Sequence, residues 1–276
     1  MTRLITSSLL VGLLALVASA CSSTADALPP MEAIESAAAQ AQEEDTFAFE
    51  LEFTMEPDET GSDDDDGGFG GLFGGNMEMT AEGRFDMAND RAYFAANLVL
   101  IEIETITDGD VCYTRSNWTG EKWQKEDPCE NTEVMEGDED SPIGDPFSDP
   151  AGFVESLQAN AASVEDMGEA EVRGETVRHL RVELTGEDFE ELEGGKLPMD
   201  VYLDDENRVV RLETEFRTPD EGMMDMGGEG GEEPGMVTIT MTMDFFDYGE
   251  PVDIEIPSED EIGEAEDFFG GFDEEE

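Results

Sequence analysis

Apart from its many carboxylates, the sequence has few residues that could do chemistry. Its one histidine, His179, stands between Arg178 and Leu180 in a stretch that alternates like a β-strand. Nucleophilic catalysis by serine or cysteine needs a base such as histidine beside the nucleophile. No nucleophile motif lies near His179 in the sequence, so we expect an ordinary sheet residue there, no catalytic residues and a protein that is not an enzyme.

The acidic run 63–66 raises the question of calcium. An EF-hand loop carries glycine at its sixth position and a bidentate glutamate at its twelfth. If Gly67 is the sixth residue the twelfth is Phe73, and if Gly68 is the sixth the twelfth is Gly74. Neither register fits, and we predict no metal site and no cofactor. Weak calcium condensation on the acidic segments keeps an acidic metal-binding envelope protein open as an alternative. The same alternative includes a copper(I) site, because thioethers suit copper(I) and the sequence contains the cluster Met223, Met224 and Met226.

The charge balance excludes two classes of partner. Seventy-three Asp and Glu against 13 Lys and Arg give a formal net charge of −60. A nucleic-acid-binding protein needs a basic face that displaces counterions from phosphate, and attachment to anionic headgroups needs a polybasic segment. We therefore predict no nucleic-acid partner and no electrostatic membrane attachment. Adaptation to saline or divalent-rich surroundings and a very soluble extracytoplasmic surface would both account for the acidic excess.

The N-terminus has the pattern of an exported, lipid-anchored protein. Residues 1–20 combine a short basic start, an apolar run too short to span a membrane and a small-residue cleavage site, as in a signal peptide. Cys21 follows at once and begins a polar tether over residues 21–28. The arrangement resembles a bacterial lipobox, which implies that Cys21 is diacylated and holds the protein on the extracytoplasmic face of the cell membrane. Ordinary cleavage after Ala20 is the alternative, because Ala18 stands where lipoboxes more often carry Leu.

Two cysteines remain once Cys21 is set aside. Cys112 and Cys129 form an even pair in a chain that enters an oxidising compartment, which predicts a disulfide between them. Closing this loop is worth roughly 3 kcal/mol on the chain-entropy model. Metal ligation is the alternative, but neither a Cys-x-x-Cys motif nor a nearby histidine supports it.

Apolar periodicity predicts two helices and about ten strands. One helix begins at Pro29-Pro30 and ends near residue 44, and a second begins at Ser148 and carries Phe153, Val154 and Leu157. Period-two patterns cover residues 47–55, 77–87, 91–96, 98–106, 111–114, 122–125, 169–173, 177–184, 197–203, 208–216, 237–245 and 252–256. Such sequential hairpins indicate an antiparallel, curled sheet of the α+β class, packed over two or three helices.

Three segments lack the periodicity needed to pack into this core. Residues 57–76 and 218–235 are rich in acidic residues and glycine, and an acidic tail occupies residues 258–276. We expect two disordered hairpin insertions and a disordered tail. The remainder, residues 29–257, is then one domain.

Several motifs in this domain resemble a known family. The segments are Leu197-Pro198-Met199-Asp200-Val201-Tyr202-Leu203-Asp204-Asp205, Arg208-Val209-Val210-Arg211 and Phe246-Asp247-Tyr248-Gly249-Glu250-Pro251-Val252-Asp253-Ile254. They resemble the actinobacterial LppX/LprAFG lipoproteins, which have a LolA-like fold. The resemblance implies a half-barrel of antiparallel strands over helices, with an apolar cavity between them for acyl chains. Members of this family carry or hold lipids and glycolipids in the cell envelope.

The alternating sheet also favours a cavity by itself, because two helices offer few apolar residues to cover an apolar face of many strands. The candidate lining residues are Phe49, Leu51, Phe53, Met79, Phe85, Ile101, Ile103 and Met241. Each of them could instead be ordinary core. The sequence thus predicts a lipid or glycolipid carrier, with an envelope interaction or sensory module of closed core as the alternative.

Overall fold

The alternating segments of the sequence form a single antiparallel sheet in the computed structural model. The structure describes residues 28–41, 44–57, 76–118, 120, 122–129, 156–157, 159–186, 189, 192, 194–219 and 236–263. The strands are β1 Thr46–Pro57, β2 Met77–Asp86, β3 Arg91–Leu98, β4 Ile101–Asp108, β5 Val111–Ser116, β6 Gln124–Glu126, β7 Ala161–Val172, β8 Glu175–Leu184, β9 Leu197–Leu203, β10 Val209–Pro219 and β11 Met236–Phe246. Within the described ranges, no helix is long and apolar enough to cross a membrane.

The sheet is open and curled. Its order is β6-β5-β4-β3-β2-β1-β11-β10-β9-β8-β7, so β6 and β7 form its two edges. Most neighbours are joined by sequential hairpins, and β1 pairs with β11 to unite the two halves. This confirms the predicted α+β class with a half-barrel of antiparallel strands.

One helix, α1 Pro30–Ala41, packs on the apolar face of the sheet. Proline is tolerated in a first turn because its missing N–H has no helical partner there. The fully buried stripe of α1 is formed by Ala33, Ile34, Ala37 and Ala38. Small side chains on this stripe let the helix backbone lie close to the strands, and its nearest strand is β7.

Register gives the sheet two different faces. On β1 the odd-numbered residues from Phe47 to Leu51 belong to the main core, whereas Glu50 and Glu52 are exposed. Because side chains alternate across a strand, residues paired with Phe49 share its face, and these are Phe245 on β11 and Gly83 on β2. We call this apolar side the concave face and the acidic side the outer face.

The predicted second helix lies mostly beyond the described residues. Residues 156, 157, 159 and 160 are helical, and Leu157 is completely buried in the main core. Elsewhere in the described ranges, α1 and the short 3-10 helix Met87–Asn89 are the helices with defined bounds. The buried position of Leu157 agrees with its assignment to the apolar stripe of a helix.

Strand β7 is longer than the sequence pattern indicated. Alternation predicted a strand over residues 169–173, but β7 starts at Ala161 and ends at Val172. Its pairing with β8 shifts between Asp166 and Gly168, where Gly168 adopts a φ of +97°. An irregularity of this kind puts successive residues out of phase and hides the alternation.

The segment after β11 is not the paired strand that its alternation predicted, and that expectation was wrong. Pairing of β11 is complete with β1 on one side and β10 on the other. Ile254 and Ile256 instead pack on the outer face, against Ile106, Tyr113 and Trp123. The chain remains attached to this face beyond the predicted domain end at 257, because Ile262 bridges to Trp123.

The two predicted insertions start slightly later in the chain than the sequence indicated. Strand β1 continues to Pro57 and β10 continues to Pro219. The interiors of both insertions and residues 264–276 lie outside the described residues, as do the signal peptide and Cys21.

Candidate functional site

Stacked rings fill the part of the concave face near the start of β1. Phe47 stacks on Phe85 with ring centroids 4.7 Å apart, and Phe49 lies 5.9 Å from Phe85 and 6.3 Å from Phe94. We call these four rings, together with Phe245, the base. Every member of the base is at most 9% exposed.

Gly83 makes room for the base. A Cβ placed on Gly83 would lie 2.2 Å from a ring carbon of Phe49, well inside contact distance. The glycine therefore allows the Phe49 ring to lie across β2. Close packing of this kind closes the concave face at the base.

The residues beside the base leave little space. A cavity of ≈ 20 Å³ lies between the end of α1 and the starts of β1 and β10, and Phe47, Val209 and Tyr248 contribute to its lining. This volume suits about one water molecule. The Tyr248 hydroxyl donates a 2.5 Å hydrogen bond to the Val209 carbonyl, and its enclosed position raises the pKa of the phenol.

Further along the strands, five apolar residues line up across the concave face. Pairing places Phe53 opposite Met241 on one side and Met79 on the other, Met79 opposite Leu98, and Leu98 opposite Ile101. We call Met241, Phe53, Met79, Leu98 and Ile101 the cross-strand row. At about 4.8 Å per strand, its four spacings extend over roughly 19 Å.

The cross-strand row is only half-buried. All five of its residues are partly exposed, unlike the rings of the base. It lies between the main core and a small cluster of buried residues, Met55, Val237 and Ile239. The row is therefore an apolar surface that the described part of the chain leaves partly uncovered.

The eight predicted lining residues thus fall into two groups. Phe49, Leu51 and Phe85 are buried in the main core. The half-buried residues are Phe53, Met79, Ile101, Ile103 and Met241. Four of these belong to the row, and Ile103 lies beside it, paired with Ala96. The list omitted Leu98, although Leu98 begins the segment 98–106 that was predicted as a strand.

His179 belongs to a network of ion pairs on the outer face. His179 Nε2 lies 2.7 Å from Asp200 Oδ1, and the histidine ring stacks on Tyr202 at 4.6 Å. Arg181 contacts the same carboxylate at 2.8 Å. Burial alone would raise the pKa of Asp200, but hydrogen bonds from Arg181 and His179 outweigh it and lower that pKa.

This network continues across the neighbouring strands. The Tyr202 hydroxyl donates to Glu213 at 2.6 Å, and Arg211 lies between Glu213 and Asp244. The hydrogen bond to Asp244 raises the pKa of Arg211, despite partial burial. Scarce cations are thus paired with carboxylates that face one another across the strands, which reduces repulsion within the sheet.

Among the residues that the structure describes, one group of carboxylates has the spacing of a metal site. The oxygens of Asp204, Asp205 and Glu206 lie within 4.8 Å of one another in the turn between β9 and β10. Arg208 lies 2.8 Å from Asp204 and 2.9 Å from Glu206. The guanidinium already supplies the positive charge that a cation would bring.

A disulfide lies beside the apolar cluster of Ile106, Tyr113 and Trp123 on the outer face. Cys112 on β5 is joined to Cys129, with Cα atoms 5.2 Å apart. The adjacent Tyr113 packs with Trp123, which is 6% exposed, and Arg115 lies 4.5 Å from the Trp123 ring. The bridge thus holds the β6 segment next to the chain end that covers it.

Comparison with solved structures identifies proteins with a similar course of the chain. The structure is similar to two mycobacterial proteins, one of which, LppX, is a lipoprotein. LppX of Mycobacterium tuberculosis is 13% identical over 82% of this chain and 97% of its own, with a TM-score of 0.44. LprF of Mycobacterium bovis is 9% identical over 83% and 97%, with a TM-score of 0.42.

A LolA superfamily protein from Nitrosomonas europaea is also similar, at 9% identity over 84% of this chain and 96% of its own, with a TM-score of 0.24. LppX and LprF bear names of the family that the sequence motifs resemble. No family model and no curated protein matches the sequence.

Proposed function

We propose that the protein is a non-enzymatic lipoprotein, anchored by Cys21 to the extracytoplasmic face of the cell membrane, that binds an acyl chain of a lipid or glycolipid along the cross-strand row. The observation that carries this proposal is the half-burial of five apolar residues in direct register across five strands. A contiguous apolar row that stays partly exposed supports a binding surface rather than a finished core.

The shape of the row suits a chain-like ligand. A row about 19 Å long, estimated from strand spacing, is comparable with an extended long-chain acyl group. Each buried methylene contributes about 0.8 kcal/mol through the hydrophobic effect. Met79 and Met241 add flexible thioether side chains that adapt to ligands of irregular shape.

The closed base gives the site a floor. At the base, the concave face is filled by rings that stack 4.7 Å apart. Gly83 leaves space only for the Phe49 ring. A ligand would therefore lie beside the base, not inside it. We therefore expect bound lipid to contact Phe53, Met79 and Ile101 rather than Phe49 or Phe85.

Native mass spectrometry of the full-length protein, secreted from a bacterial host and followed by organic extraction, tests the proposal. We expect a defined acyl lipid at near one per chain. The test variant is Met79→Gln with Ile101→Thr, and its matched control is Glu78→Gln with Glu102→Gln, which alters adjacent residues on the outer face. The test variant should lose most of the lipid and the control should keep it.

Two results would contradict the proposal. One is empty wild-type protein that takes up no lipid from envelope extracts. The other is equal lipid retention by the test and control variants, both shown to be folded by their thermal unfolding.

A further inference from the structure

One rim of the sheet exposes large apolar side chains to solvent. Val99 and Leu100 form the tip of the β3–β4 hairpin and are 53% and 55% exposed, and Trp118, just after β5, is 65% exposed. Because β4 and β5 are antiparallel, β5 ends at the same end of the strands as this hairpin tip. We call these three residues the apolar rim.

The apolar rim is held in place by hydrogen bonds. The Asn117 side chain donates to the Leu100 carbonyl at 2.9 Å and accepts from the Glu102 N–H at 3.2 Å. The Asn117 backbone N–H also donates to the Glu102 carbonyl at 3.1 Å. These bonds fix Trp118 beside the hairpin tip.

The hairpin tip has an unusual backbone. Val99 has a φ of +50°, a left-handed conformation that is costly for a β-branched residue. Strained positions of this kind persist where the surrounding structure enforces them and concentrate at functional sites. A glycine or asparagine would form the same turn with less strain, but it would not present an apolar side chain.

The position of the rim connects it with the proposed lipid site. Leu98 and Ile101, the last pair of the cross-strand row, flank the hairpin tip directly. An acyl chain lying along the row would leave the concave face at Val99 and Leu100. The rim therefore occupies the boundary between the site and whatever donates or accepts the lipid.

We propose that the apolar rim inserts into the interface of an electrically neutral lipid bilayer. Tryptophan is enriched at membrane interfaces because its ring is amphipathic, and leucine and valine gain by leaving water. The formal charge of −60 and the neighbouring Glu102 disfavour an anionic surface. The inference extends the proposed function by naming the surface that meets the bilayer.

Tryptophan fluorescence tests this contact, because the chain has two tryptophans in opposite environments. The full-length chain with Cys21→Ser and Trp123→Phe reports on Trp118, and the chain with Cys21→Ser and Trp118→Phe reports on the buried Trp123. On adding phosphatidylcholine vesicles, Trp118 emission should shift to the blue and be quenched by brominated acyl chains. Trp123 emission should not change.

Should Trp123→Phe fail to fold, the Cys21→Ser chain with both tryptophans gives the same reading. Brominated vesicles should then quench the exposed, red-emitting component and leave the buried one. This readout is local to the rim, so it does not depend on whether any cargo is retained. Failure of the rim and failure of the lipid site are therefore distinguishable.

Matched substitutions test whether the rim drives binding. Leu100→Asn should weaken the vesicle affinity about five- to ten-fold, as expected for removing one exposed leucine from a lipid contact. Met87→Asn is the control, because Met87 is 52% exposed but lies at the opposite end of β3. It should bind vesicles like the parent chain.

Lipid charge provides the last discrimination. Vesicles with anionic phosphatidylglycerol should bind more weakly at low salt, and the difference should shrink as salt screens the repulsion. Three results would overturn the proposal: no shift of Trp118 emission with any vesicle, equal loss for Leu100→Asn and Met87→Asn, or blue-shifted Trp118 emission before lipid is added. The third would show that another part of the chain covers the rim.

Discussion

The base and the cross-strand row lie on the same face of the same strands, yet they are packed differently. In the base, Phe47 and Phe85 stack at 4.7 Å and each is 6% exposed. In the row, Phe53 and Met79 are directly paired but remain half-buried. Both regions derive from the same alternation of apolar and polar residues along β1 and β2.

The difference shows that alternation determines which residues share the apolar face of the sheet, but not how completely other residues bury them. In the base, rings and a glycine fill the available space, so the apolar residues act as core. In the row, one ring, two thioethers and two aliphatic side chains are not covered to the same degree by the described part of the chain. Substitutions should therefore affect folding in the base and binding in the row.

Loss of the central ring should have the largest effect on stability. Phe49→Ala should lower the free energy of unfolding by about 3–5 kcal/mol, because it removes a buried ring and leaves a cavity. Phe53→Ala, two residues away on the same face, should lower it by only about 1–2 kcal/mol, since that ring is partly exposed already. Urea denaturation of both variants measures the contrast, and equal losses would erase the distinction between base and row.

A smaller loss of stability should follow when the space beside Phe49 is filled. Gly83→Ala places a methyl group where the Phe49 ring lies, 2.2 Å from its nearest carbon. We expect a loss of about 1–3 kcal/mol from overpacking. In the Phe49→Leu background the same substitution should cost less, and a double-mutant cycle measures that coupling. Independent, additive effects would show that the two residues are not in contact.

The tyrosine beside the base should make stability sensitive to alkaline pH. Enclosure raises the pKa of Tyr248 above its ordinary value of 10.0. As pH rises past that value the unfolded chain loses this proton first, so stability is full below it and falls as pH climbs towards the folded pKa. Tyr248→Phe should lower the free energy of unfolding by about 1 kcal/mol at neutral pH, because it removes the hydrogen bond to the Val209 carbonyl.

Thermal unfolding at increasing pH measures this sensitivity. The Tyr248→Phe chain should show a shallower alkaline decline than the parent chain. Tyr202→Phe should also make the decline shallower, because burial and the hydrogen bond to Glu213 raise the pKa of Tyr202. An alkaline decline unchanged by Tyr248→Phe would show that the Tyr248 phenol is not enclosed beside the base.

The smallest effect on folding should come from the row itself. Met79→Gln replaces a half-buried thioether by a polar side chain of similar length, and we expect less than about 1 kcal/mol in unfolding free energy. Bound lipid should nevertheless fall severalfold in native mass spectra. A large loss of stability with unchanged lipid would assign Met79 to the core.

Much of the fold could be predicted because period-two alternation is visible in the sequence. Strands such as β1 and β11 repeat an apolar residue at every second position, and α1 follows proline with a stripe of alanines. The chain after β11 was predicted wrongly, because Ile254 and Ile256 alternate like a strand although they cover a cluster on the outer face. Alternation shows which residues form an apolar face, but it does not show which part of the chain covers that face.

The candidate site could be predicted only in part for the same reason. Phe49 and Phe53 are equivalent in the sequence pattern, and both were predicted to line a cavity. What separates them is contact with residues distant in the chain, such as Gly83 beneath Phe49. Leu98 was overlooked because the hairpin after it starts with Val99, whose backbone conformation a sequence does not show.

Photo-crosslinking tests the central claim most directly. The full-length protein would be loaded with a phospholipid that carries a diazirine on its acyl chain, irradiated, digested and mapped by mass spectrometry. We predict adducts on Phe53, Met79, Leu98, Ile101 and Met241. Phe49 and Phe85 should remain unmodified. Adducts confined to the base or to the outer face, or no adducts at all, would contradict acyl-chain binding along the cross-strand row.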